Sequence, residues 1–79
     1  MNTVIFAEEG NLATWGIEAA PDRRRVGTIE RREDAFYVSP EGPAADLIAS
    51  LRPGPYRDLY EAMDAIGFAT GGACEEARS

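Results

Sequence analysis

The sequence predicts an α+β domain: a small antiparallel sheet of three to four strands in a meander, then a short helix and a longer C-terminal amphipathic helix packed on one face. Three observations predict it. β-forming residues with period-two alternation fill the first half of the chain, turn residues interrupt them at short intervals, and a sustained helical periodicity follows Pro55.

Val4, Ile5 and Phe6 are β-formers that make Thr3 to Glu8 the first strand, and Gly10-Asn11 supplies a turn where positive φ costs little. The next segment alternates cleanly. Ala13, Trp15, Ile17 and Ala19 fall on one face and Thr14, Gly16 and Glu18 on the other, so Trp15 and Ile17 are expected in the core. Pro21-Asp22 presets a second turn, Val26 to Arg32 gives a third strand with weaker patterning, and Ala35 to Ser39 a fourth with Phe36 and Val38 on one side.

Past Pro40-Glu41-Gly42, Pro43 suits the first turn of a short helix in which Leu47, Ile48 and Leu51 share a face. Pro53-Gly54-Pro55 breaks it. Leu59, Ala62, Met63, Ile66 and Thr70 then recur at the i, i+3, i+4, i+7 spacing of a helix that Gly71-Gly72 would end. The residues after it lack an apolar anchor, which sets the expected domain at 1–72 and a flexible C-terminal tail at 73–79.

A chain of 79 residues with 44% hydrophobic and 28% charged residues has room for one core and enough apolar surface to fill it. Cys74 has no second cysteine to bridge, where a secreted domain of this size would carry several, and this points to a reducing cytoplasmic setting. The amino terminus has no basic n-region. Its apolar run, Val4 to Ala7, is far too short for a signal core or a membrane span.

Charge narrows the class of partner. Fourteen acids against eight bases, all of them arginine, give a net charge of -6. Nucleic-acid binders need a basic patch to displace counterions, so the expected partner is a protein with a basic surface, with no direct contact to nucleic acid or membrane. The clusters Arg23-Arg24-Arg25 and Arg31-Arg32 pull the other way locally. They read either as guanidinium groups for carboxylate or phosphate, even a nucleic-acid contact, or as charges that keep an exposed hairpin soluble.

On the main helix, Asp58, Glu61 and Asp64 stand at i, i+3, i+6, opposite the Leu59/Met63/Ile66 stripe. Such a ridge either imitates successive phosphates before a cationic groove or is the ordinary solvated side of an amphipathic helix. Glu8 and Glu9 extend the set of candidate contacts, and Tyr60 and Tyr56, flanking the apolar stripe, are candidate interface anchors. Catalysis is not expected. Without His or Lys, acid-base work would fall to carboxylates, Tyr or Cys74, none of which sits in a paired arrangement with a nucleophile. No metal-ligand or phosphate-cradling spacing is present, so no cofactor is expected either.

A tiny acidic α+β chain with only arginine as base, strands first and helix last, resembles the small anti-CRISPR proteins of bacteriophages and prophages. The segment Gly54-Pro55-Tyr56-Arg57-Asp58-Leu59-Tyr60-Glu61-Ala62-Met63-Asp64-Ala65-Ile66 is similar to a short phage-type terminal helix. The resemblance implies a stoichiometric inhibitor in the cytoplasm of a bacterial host, a monomer or weak homodimer. Its target would be the DNA-binding surface of a type I CRISPR Cascade complex, blocked by occlusion. It carries no assignment to individual residues. The competing expectation is a small intracellular adaptor or homo-oligomeric protein that works through the apolar and aromatic side of its helices.

Overall fold

A computed structural model describes residues 1–8, 10, 13–20 and 22–77. The four expected strands are present as β1 (Thr3–Ala7), β2 (Thr14–Ala19), β3 (Arg24–Arg32) and β4 (Ala35–Pro40), paired antiparallel in sequence. The sheet is larger than expected. A fifth strand, β5 (Cys74–Glu76), pairs parallel to β1 and makes the order β4-β3-β2-β1-β5.

The last strand of the meander, β4, therefore lies at the opposite edge of the sheet from β5, the strand that follows it. To pass from β4 to β5 the chain has to traverse the sheet, and α1 (Leu59–Thr70) covers one face on the way. The helix has twelve residues. It is a short helix that spans Leu59 to Thr70, ends at Gly71 as the spacing predicts, and is not the C-terminal element. The short helix expected after Pro43 is a single 3-10 turn, Ala45–Ile48, whose Ile48 is fully buried.

The residues read as a tail are part of the sheet. The Thr3 amide donates to the Ala73 carbonyl at 2.8 Å, and the Ala77 amide donates to the Ile5 carbonyl at 2.8 Å. The domain therefore runs through residue 77, past the expected boundary at 72. Pairing between backbones about 70 positions apart leaves no local composition signal, and Cys74-Glu75-Glu76 contains no strong β-former.

Ile5, Ile17, Val26, Ile29 and Val38 line the covered face and meet Ile48, Tyr56, Ala62, Met63 and Ile66 from above. Each fully buried aliphatic contributes about 1.5–3 kcal/mol relative to exposure. A register shift between Ile17 and Glu18 explains the weak pattern of β3: Ile17 pairs with Gly27 while Glu18 pairs with Arg25, so Val26 is the extra residue. Val26 and Ile29, three apart, are thus both buried. Trp15 is half-buried at the margin of this core, its ring 5.7 Å from that of Phe36.

The two edges are treated differently. Residues 53–56 fold back along β4, with Val38 donating to the Pro53 carbonyl at 2.8 Å and Phe36 and Tyr56 exchanging amide bonds at 2.9 Å. That edge is covered by the chain itself. The β5 edge is three residues long and carries the exposed Glu75 and Glu76.

Candidate functional site

The helix α1 owes its position to its two ends. Asp58 is its N-cap, extended at φ -149° and ψ 175°, and its carboxylate accepts the Glu61 amide at 2.8 Å. Gly71, at φ 72°, closes the other end, with its amide directed to the Gly67 and Phe68 carbonyls. Between them Ala62, Met63, Ile66 and Gly67 face the sheet. The opposite side carries Tyr60, 67% exposed, Asp64, and Phe68, 91% exposed. Residues four apart lie one above the other on a helix, so these three form a stripe about 12 Å long.

The expected acid ridge is thus three residues in three situations. Asp58 spends an oxygen on the cap. Glu61 is half-buried and stands 3.8 Å from the Arg57 guanidinium. Asp64 is exposed and joins no ion pair among the described residues. Burial pushes the Cys74 thiol above its ordinary pKa, the Thr3 side chain opposes this with a hydrogen bond, and the charges of Asp64 and Glu75 add to the rise. Along β5, Cys74 and Glu76 share the face that α1 covers, and Glu75 lies on the other.

Glu8 is elsewhere. Its Oε1 lies 2.9 Å from Nη1 of Arg25, on the face of the sheet that no helix covers. There Arg25 stands over the Phe6 ring at 5.7 Å, and the outer edge of that ring lies against Gly16, where an added Cβ would overlap it and come within 2.8 Å of the same guanidinium. The sheet separates Glu8 from the α1 acids, so the two groups do not share one surface. Glu9 lies outside the described residues.

The arginine clusters are also divided, between the two ends of β3, about 25 Å apart at roughly 3.3 Å per residue. Most are occupied: Arg23 with Glu18 at 3.1 Å, Arg24 with Asp22 at 2.8 Å, and Arg32 with Glu30, while also stacking over Tyr37 at 5.0 Å. Tyr56, expected as an interface anchor, is 3% exposed. It is held in the core, its hydroxyl donating to the Arg52 carbonyl and its ring beneath the Arg52 guanidinium at 5.1 Å.

Phe68 is the surface residue that reading the sequence missed. It stands nine positions after Leu59, half a turn from the apolar stripe, and plotting it on that helix would have shown a large aromatic on the polar side. Shallow cavities also open among the described residues. One of about 390 Å³ lies on the open sheet face between Val4, Phe6, Ala20 and the Arg23–Glu18 pair, and one of about 400 Å³ lies beside the start of α1 between Asp34, Tyr56, Arg57 and Glu61. Among the described residues no cluster of His, Cys, Asp or Glu is arranged to hold a metal ion, and no helix is long and apolar enough to cross a membrane. Comparison with protein-family models, with curated proteins and with solved structures gives no significant match to this chain.

Proposed function

We propose that this domain is a non-enzymatic protein-binding module whose acidic α1 surface engages a cationic surface on a partner. The observation that carries the reading is the partition of charge. Arg23, Arg24, Arg25, Arg32 and Arg57 are each matched by an acid of the same chain, which leaves Arg31 and Arg52 against the unpaired Glu33, Asp34, Glu41, Asp46, Asp64, Glu75 and Glu76 among the described residues. The surplus behind the net charge of -6 is thus displayed in part on α1 and β5. A field of one sign speeds encounter with a surface of the other and repels nucleic acid.

In its narrower form the module is an inhibitor of the anti-CRISPR type, and the cationic surface is the DNA-accepting channel of a type I Cascade complex. A channel built for phosphates presents guanidinium and ammonium groups, and an acidic ligand seated there excludes DNA by occupancy. The test is co-purification with Cascade, with and without target DNA, beside a DNA-binding competition assay. Capture lost once DNA is bound, together with failure of an E61R/D64R double variant that keeps Asp58 as the cap and folds normally, is the expected result. Undiminished binding by that folded variant removes the charge-based reading, and absence of any Cascade capture removes its narrower form.

A further inference from the structure

We propose that the outer face of α1 docks into an apolar groove bordered by arginine or lysine on a partner protein, with Tyr60 and Phe68 as anchors and Asp64 as the charge between them. This rests on the protein-binding reading above and deepens it, because charge attraction alone does not require aromatic anchors.

Three large hydrophobic side chains are exposed among the described residues, Met1, Tyr60 and Phe68, and two of the three stand on this one stripe. Their exposure does not come from a poor core: Ala62 and Ile66 on the inner side are completely buried. Nor are they loosely placed, since the cap at Asp58 and the left-handed Gly71 fix both ends of the helix that presents them. Aromatic residues on rigid helices dominate binding energy when a partner encloses them, and anchors one or two helical turns apart are how a helix reads a groove.

Charge selects the occupant. Pairing two copies antiparallel through this stripe, centred on its middle residue, would bring one Asp64 carboxylate against the other. Like charges in that position oppose association, whereas a guanidinium or ammonium placed there is attracted. Glu61 on the adjoining strip of the helix is engaged with Arg57 at 3.8 Å, so the preference rests on Asp64. The fitting partner is therefore a heterologous protein whose apolar groove carries a cation at mid-length.

A suitable probe is a designed helical hairpin presenting a leucine groove edged by arginines, with a glutamate-edged version as control. Titration into isotope-labelled domain, followed by NMR and calorimetry, is expected to shift Tyr60, Asp64 and Phe68 together and saturably for the arginine probe only. Phe68→Ala is expected to weaken that binding about thirtyfold, the effect of losing a central anchor. Asp64→Asn should weaken it about threefold to tenfold, with circular dichroism unchanged in both variants. Equal binding of the two probes, shifts confined to Glu75 and Glu76, or no loss in Phe68→Ala would each overturn the proposal. So would saturable self-association of the free domain through Phe68, which would make a second copy the occupant. A positive titration alongside failed Cascade capture would leave the groove in place and dispose of the CRISPR target alone.

Discussion

The open face of the sheet and the outer face of α1 are both wet, both charged and both carry aromatic rings, yet they are organised in opposite ways. On the sheet each ring is covered or flanked by a guanidinium, Arg25 over Phe6 and Arg32 over Tyr37, and each of these arginines has its own acid, Glu8 or Glu30. On the helix Tyr60 and Phe68 stand open on either side of an unpaired Asp64. A surface that satisfies its own charges has little to offer a partner, and one that leaves them unmatched keeps that interaction in reserve. Counting charges over the whole chain hides this difference.

The contrast is sharpest within α1 itself. Ile66→Ala, on the inner side, should cost about 3–4 kcal/mol of stability through lost burial and the cavity left behind, read as a lowered denaturation midpoint. Breaking the ridge comes next: Asp58→Ala should cost about 1 kcal/mol by removing the N-cap, whereas Asp64→Asn should leave stability unchanged, so two acids of one apparent ridge separate in a single melting experiment. On the sheet, Arg25→Ala should cost about 0.5–1 kcal/mol, because it removes a half-buried ion pair and the cover over Phe6 together. Phe68→Ala should change stability by less than about 0.5 kcal/mol, since nothing in the domain packs on that ring. A large loss there would mean that Phe68 supports the fold and would end the comparison.

Cys74 offers a test of pH dependence. Its thiol is pushed up, so in the folded domain it stays protonated to higher pH than in the unfolded chain. Stability from this group is fully present below the unfolded pKa and is lost as pH rises through the folded one. Alkylation by iodoacetamide near pH 8 should accordingly be slower than for an unfolded control, and the stability of a Cys74→Ala variant should fall less than that of the parent above about pH 9.

Most of the fold was legible because it is locally encoded. Alternation along β2 placed Ile17 correctly, and the stripe of Leu59, Ala62, Met63 and Ile66 gave the inner side of α1. What escaped was encoded by distant partners: the bulge that lets Val26 and Ile29 share a side, the 3-10 turn at Ile48, and β5, whose sequence is strand only because β1 lies beside it. The candidate surface was half legible. Asp64 is exposed, as the helical wheel has it, and Tyr60, expected beside the apolar stripe, is exposed with it, but which acids are already engaged by Arg25, Arg57 or a backbone amide depends on geometry that spacing does not contain.

The pairing of β5 with β1 has a consequence for biosynthesis. Strand β1 leaves the ribosome early, yet one of its two edges has no neighbour until residues 74–76 follow, about 70 positions later. During that interval the nascent chain exposes an apolar strand, Val4-Ile5-Phe6, with open backbone donors and acceptors. Translation at about 5–20 residues per second makes the wait several seconds, long beside the microseconds to milliseconds in which a hairpin closes. The domain is therefore most vulnerable to mispairing while it is being made, until residues 74–76 close the open edge of β1.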